Sequence, residues 1–151
     1  MVLMIAHRGN MDGPNPEREN QPSYIQEALD LGYDVEVDVW LIDGYPFLGH
    51  DKPQWPLDDE FLKKERLWCH AKNREALEFL VATGANCFWH EDDRYTLTSK
   101  GVIWAYPGQP AGPLGIQVMP ERARAPPDVN VWGICSDYVI FEKIKQVCRN
   151  S

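Results

Sequence analysis

Asp34-Val35-Glu36-Val37-Asp38-Val39-Trp40 alternates acid and valine over its first six residues. A period of two belongs to an extended strand, so Asp34, Glu36 and Asp38 share one face and Val35, Val37 and Val39 the other. β-Branched valine suits a covered, pleated surface, whereas carboxylates this close repel unless water or a cation lies between them. Hard divalent ions such as Mg²⁺ and Ca²⁺ suit carboxylate oxygens. A strand with one solvated face explains the same alternation, and the neighbouring sequence decides between the two.

Short apolar or β-branched runs recur at residues 2–6, 35–40, 46–48, 67–71, 87–89, 102–105, 115–119 and 131–135, and each has the length of a strand. Between the first two, Tyr24, Ile25, Ala28, Leu29 and Leu31 fall near helical spacing, with Gly32 as a stop, which gives a βαβ unit. Asn73 can cap a second helix carrying Ala76, Leu77, Leu80 and Val81 and ending at Gly84. Ile140, Phe141, Ile144 and Val147 space a closing amphipathic helix. The Pro-rich stretch holding Pro107, Pro110, Pro113, Pro120, Pro126 and Pro127 reads as ordered loops around one short strand.

Repeated strand and helix units predict a mostly parallel α/β sheet with its ligand-binding edge at the strand C-termini. A complete eight-fold barrel takes about 250 residues and seldom fewer than about 200. The 151 residues here therefore predict one domain, a reduced or incomplete TIM-like (β/α) barrel. Its open side needs protection, by Pro-rich loops or by a homodimer contact.

With 44% hydrophobic and 25% charged residues, the chain can bury a core and is not disordered. Fifteen basic against twenty-three acidic residues give a net charge of -8, which repels phosphate backbones and argues against nucleic acid as a partner. No stretch approaches the roughly 20 apolar residues of a membrane span, and the opening MVLMIAHRG is too short an apolar run for a secretory signal. The expectation is a soluble, cytoplasmic protein. Cys69, Cys87, Cys135 and Cys148 form no C-x-x-C pair and read as buried free thiols.

Ala6-His7-Arg8-Gly9 closes the first strand, where a parallel sheet presents its ligand-binding residues. Histidine moves protons near neutral pH and arginine grips a phosphoryl group through two donors. Asp43-Gly44 is a hairpin turn signal, and the return strand leads into His50-Asp51. Two histidines, an arginine and paired carboxylates within residues 7–51 supply what phosphodiester cleavage requires: an acid, a base, a phosphate clamp and a metal.

Taken in order, His7-Arg8-Gly9, Glu19-Asn20, Glu36-x-Asp38 and Asp43-Gly44 leading to His50-Asp51 resemble the glycerophosphodiester phosphodiesterase family of phospholipase-C-like barrels. The co-linear set spans the first third of the chain. The resemblance implies a barrel-derived fold, a divalent metal held by Glu36 and Asp38, His7 and His50 as the acid/base pair, and Arg8 near the phosphate. It also implies a small-molecule phosphodiester as substrate, a glycerophosphodiester first of all. The family's third metal carboxylate sits in a Glu-x-Lys pattern, and the matching place reads His70-Ala71-Lys72. The lysine is kept as a phosphate-side cation, and His70 stands where a carboxylate is expected. Mg²⁺ or Ca²⁺ remains favoured by the acids, while imidazole admits Mn²⁺ or Zn²⁺. His70 also reads as a hydrogen-bonded interior histidine. The lost carboxylate and the short chain motivate a second reading, an inactive relative that binds a phosphorylated small molecule.

The second half is less legible. His90 or Glu91, in Trp89-His90-Glu91-Asp92-Asp93, can reach the same edge and replace the missing carboxylate, although a solvated acidic loop is the plainer reading. Residues 97–101 read as a hairpin turn. Ser136-Asp137 either adjoins the site or caps the closing helix, and the cap is favoured. The six tryptophans read as core, with Trp40 or Trp132 as a pocket wall.

Overall fold

A computed structural model describes residues 1–123 and 130–151. β1 (Leu3–His7) leads through a long turn into α1 (Pro22–Asp30) and then β2 (Asp34–Ile42). β2 turns at Asp43-Gly44 into β3 (Tyr45–Leu48), followed by β4 (Trp55–Pro56) and the single turn α2 (Asp59–Leu62). β5 (Leu67–Ala71), α3 (Arg74–Thr83) and β6 (Cys87–Phe88) complete a second strand–helix–strand unit. β7 (Tyr95–Leu97), β8 (Ile103–Ala105), β9 (Gly115–Val118), a 3-10 turn (Pro120–Arg122), β10 (Gly133–Ser136) and α4 (Val139–Arg149) follow.

The ten strands form one mixed, strongly curled sheet, a half-barrel rather than a closed one. β6, β5, β2, β1, β10, β9 and β8 pair in that order, every ladder parallel, while β3, β4 and β7 are antiparallel additions. No ladder joins β6 to β7 or β8 among the described residues. Curling nevertheless brings Phe88 of β6 and Trp104 of β8 to 4.6 Å between ring centroids. Hydrogen bonds from β7 and the turn after it also bridge the open side, with the Ser99 amide donating to Cys87 O at 2.8 Å and Thr96 Oγ1 to Trp89 O at 2.9 Å.

The alternation in β2 separates two cores. Val35, Val37 and Val39 pack outward with Ile25, Ala28 and Leu29 of α1 and with Ala76 and Leu80 of α3. The concave face collects Ile5, Trp68, Phe88, Trp104, Ile116, Val118, Met119 and Cys135. Asp34, Glu36 and Asp38 lie on that inner side, all buried. Asp34 sits one layer below the other two and accepts a hydrogen bond from Trp68 Nε1 at 2.9 Å, which makes it a partner of the core rather than of the site.

Several expectations hold. Asn73 caps α3 by accepting from the Ala76 amide at 3.1 Å, and Gly84 ends the helix in the left-handed region, as a C-terminal glycine does. β7 and β8 form the hairpin read from residues 97–101. The described part of the Pro-rich segment folds onto the sheet: Tyr95 Oη donates to Pro110 O at 2.9 Å, and a Cβ at residue 115 would meet Ala111 O at 2.3 Å, so only glycine fits there. Pro126 and Pro127 lie outside the described residues.

Others are corrected. β4 and α2 were not legible, being two and four residues long. Cys148 is exposed, while Cys69, Cys87 and Cys135 are buried free thiols. α4 is amphipathic, but it buries Val139 and Glu142 and leaves Ile140, Phe141, Ile144 and Val147 exposed. Periodicity shows that apolar residues share a face, not that the face is covered. No described helix is long and apolar enough to cross a membrane.

Candidate active site

The C-terminal ends of β1 and β5 and the middle of β2, with the chain just beyond β3 and β6, surround a cavity of about 180 Å³. Its lining includes His7, Arg8, Glu36, Asp38, His50, His70, His90, Trp104, Tyr106 and Arg122. Trp104 is thus the tryptophan at the wall. Trp40 instead donates to Gly49 O at 2.7 Å, and Trp132 packs edge-on against Trp68.

Parallel register sets the acid pair beside its histidines. His7 lies opposite Glu36 on β1–β2, and Asp38 lies opposite His70 on β2–β5. Glu36, Asp38 and His70 each offer a ligand atom within 4.8 Å of the others. His70 Nδ1 is 3.3 Å from Asp38 Oδ1 and 3.8 Å from Glu36 Oε1. Its Nε2 is 2.8 Å from His90 O, and a carbonyl can only accept, so Nε2 carries the proton. When the ring is neutral, its Nδ1 lone pair therefore faces the carboxylates, the tautomer a metal ligand needs. Phe88 stacks on the ring at 5.0 Å and fixes its plane.

The residues fit a divalent cation on a further count. Glu36 Oε2 and Asp38 Oδ1 are buried without a hydrogen-bond partner. Buried carboxylate oxygens are ordinarily paired, and a cation between them removes both their repulsion and their desolvation cost. Burial and the neighbouring Asp38 charge push the Glu36 carboxyl up from its ordinary pKa. Burial opposes the charge on Asp38 too, but the Arg8 guanidinium beside it favours that charge, and the Asp38 carboxyl lies well below the ordinary carboxylate range.

Asn20 braces Asp38 from both sides: its Nδ2 donates to Asp38 Oδ2 at 2.8 Å, and its Oδ1 accepts from the Asp38 amide at 2.9 Å. Arg8 Nη1 donates to Glu19 Oε2 at 3.3 Å, and Arg8 Nε lies 3.2 Å from Asp38 Oδ2. Arg8 Nη2 is 2.8 Å from His50 Nδ1. Arginine only donates, so His50 Nδ1 accepts and the ring's proton sits on Nε2. His50 is the open member of the set, with 42% of its side chain exposed.

Asp137 decides the opposite tautomer for His7. Its Oδ1 lies 2.7 Å from His7 Nδ1, so Nδ1 donates and Nε2, 3.8 Å from Glu36 Oε2, holds the lone pair. Burial disfavours charge on His7, yet the Asp137 bond and the Glu36 charge outweigh it and raise the His7 pKa. Asp137 is in turn lowered despite its burial, chiefly by that bond. The favoured cap reading of Ser136-Asp137 is therefore corrected, since α4 has no side-chain cap and both residues are tied to Glu121.

Not every predicted residue gathers here. Asp43 sits exposed in the hairpin turn, where its positive φ of 51° serves the turn. Lys72 is half-buried beyond β5, its amide donating to Val39 O, and does not line the cavity. Glu91 is exposed, so the acidic loop does not replace the missing carboxylate, whereas His90 lines the cavity. Two residues escaped the sequence reading. Asn10 is fully buried and donates to both Glu19 Oε1 and Asp137 Oδ1 at 2.9 Å, tying the β1 turn to β10. Its adjacency to His7-Arg8-Gly9 was the available signal. Arg122 lines the cavity from the Pro-rich region, 3.6 Å from Asp137 Oδ2. Compared with protein-family models, curated proteins and solved structures, the chain matches none.

Proposed function

We propose that this chain is a metal-dependent phosphodiester hydrolase acting on a glycerophosphodiester or a related small phosphodiester. The observation that carries the reading is the convergence of two orphaned buried carboxylate oxygens and a lone-pair-presenting His70, flanked by His7 and His50 in opposite tautomers. The β1–β2–β5 order and the ligand edge at the strand C-termini support descent from a TIM-like barrel reduced on the β6–β8 side.

Glu36, Asp38 and His70 would hold the divalent ion, and its nitrogen donor shifts the choice from Ca²⁺ toward Mn²⁺ or Zn²⁺, with Mg²⁺ still suited to the carboxylates. When bound, such an ion polarises a phosphoryl oxygen. His7 Nε2 presents a lone pair and takes a proton from the attacking hydroxyl or water, and the Asp137 carboxylate stabilises the imidazolium that results. His50 Nε2–H gives a proton to the departing alcohol oxygen. Arg8 and Arg122 supply positive charge at the cavity wall, where negative charge grows on phosphorus-bound oxygens. Asn20 keeps Asp38 oriented throughout.

Purified chain is assayed against a panel of glycerophosphodiesters and aryl phosphodiesters with Mg²⁺, Mn²⁺, Ca²⁺ and Zn²⁺. Turnover is expected with at least one ion, lost on chelation and reduced at least 100-fold by His7→Ala, consistent with the usual contribution of a general base. Unchanged activity in His7→Ala and His50→Ala overturns the assignment. Phosphate-ester binding without turnover supports the inactive, binding-only reading instead.

A further inference from the structure

His90 is the one histidine of the cavity to which that reading gives no task. Its side chain is 9% exposed, and its Nδ1 is 3.0 Å from the Asp93 carboxylate. A carboxylate accepts, so Nδ1 carries the proton and the neutral ring has its lone pair on Nε2. Nε2 is buried and has no hydrogen-bond partner. A buried, unpaired acceptor is destabilising and calls for an explanation.

A metal does not provide one, because the ligand cluster consists of Glu36, Asp38 and His70 and omits His90. Core packing does not either, since the residue lines the cavity and its ring meets Tyr106 edge-on at 5.7 Å. Its place is fixed against the ion ligands, because His90 O takes the proton-bearing Nε2 of His70. His90 lines the same cavity as those ligands, so a donor that satisfies it shares that cavity with a phosphoryl group held at the metal. An ammonium has three donors to satisfy, and with the Glu36 and Asp38 oxygens taken by an ion, His90 Nε2 is the one unpaired buried side-chain acceptor among the described lining residues, whereas a hydroxyl needs one acceptor and can itself accept from a neighbour such as Tyr106 or Arg122. The cavity, about 180 Å³, is below the 300–1,000 Å³ range usual for drug-sized ligands and suits a phosphate with a short alcohol.

We infer that His90, oriented by Asp93, is a specificity-determining residue that accepts a hydrogen bond from a free hydroxyl on the substrate's alcohol. The inference rests on the phosphodiesterase reading and deepens it: the preferred esters carry a hydroxyl close to the ester oxygen. Asp93 is a positioning residue that acts through His90.

The test is calorimetric binding of 2-hydroxyethyl phosphate, ethyl phosphate and 2-aminoethyl phosphate to the full chain in Mn²⁺, alongside phosphodiesterase assays. Wild-type protein is expected to bind the hydroxyethyl ester about tenfold more tightly than the ethyl ester, the value of one neutral hydrogen bond near 1.4 kcal/mol. His90→Phe brings that ratio to about 1, His90→Gln, whose amide oxygen can accept, restores part of it, and Asp93→Ala lowers it while leaving the ring in place. Asp93 is well exposed, so that variant tests the inference even if His90→Phe does not fold. A wild-type ratio near 1, a ratio unmoved by His90→Phe and Asp93→Ala, or preference for the aminoethyl ester overturns the inference while turnover leaves the hydrolase reading standing. Absence of both phosphate-ester binding and turnover overturns the two together.

Discussion

Glu36→Gln should separate a metal site from an acidic pocket, because the two demand opposite signs. In the metal-free protein Glu36 is fully buried, its Oε2 unpaired, and Asp38 keeps its charge nearby. The amide preserves shape and removes one of two like charges, so the metal-free variant should match or exceed wild type in stability by about 1 kcal/mol. For a domain of this size that is about 2–4 °C in Tm. Metal reverses the order. An ion at 100 times its Kd stabilises the wild type by about 2.7 kcal/mol, or about 5–10 °C, and the variant, lacking one anionic ligand, should gain much less. The pH sign follows from the same group. Because the folded pKa of Glu36 is raised, its stabilising share is fully present below the unfolded value of 4.5 and is lost as pH rises through the folded value. Metal-free wild type should therefore lose stability across that window relative to Glu36→Gln. Differential scanning calorimetry with chelator and with Mn²⁺, at pH 4 to 8, measures all three. A metal-free variant several degrees less stable than wild type, with an undiminished Mn²⁺ shift, refutes the reasoning.

Asp137→Asn should lower stability most between about pH 4 and 6.5: the Asp137 share is lost as pH falls through its lowered pKa, and the His7 share as pH rises through its raised one. Thermal melts across pH 3 to 9 check this, and a pH-independent difference counts against the pair. Asn20→Ala removes both bonds to Asp38 and should cost about 1–3 kcal/mol in urea unfolding and weaken Mn²⁺ binding, whereas unaltered Mn²⁺ affinity would show that Asp38 needs no brace. Gly49→Ala places a Cβ 2.0 Å from Lys52 O and should cost more than about 2 kcal/mol, with activity reduced through the adjacent His50; a neutral change would place the β3–β4 turn elsewhere.

Legibility in the sequence followed the range of the interactions. The acid–valine alternation gave β2, its two faces and the carboxylate pair, because a two-residue period is local. Asn73 and Gly84 marked α3 for the same reason, and Asp43-Gly44 marked the hairpin that delivers His50. Curl, by contrast, depends on Trp68, Phe88 and Trp104 meeting across three strands, and no window of sequence contains them. Asp137 reaches His7 across 130 residues, and a Ser-Asp pair before a helix reads locally as a cap. Arg122 was hidden in a Pro-rich segment whose composition says loop and nothing of where the loop docks. The apolar stripe of α4 shows the reverse limit, since its period was plain and its exposure was not.

The central claim is that Glu36, Asp38 and His70 bind a catalytic divalent ion within reach of His7 and His50. Crystals of the full chain soaked in Mn²⁺ and inorganic phosphate, with anomalous data at the manganese edge, test it most directly. The expected result is one strong peak coordinated by a Glu36 oxygen, an Asp38 oxygen and His70 Nδ1, with phosphate between it and Arg8 and with His7 Nε2 and His50 Nε2 at the phosphate oxygens. A peak elsewhere, or none at that cluster while His70 Nδ1 turns away from the acids, contradicts the claim.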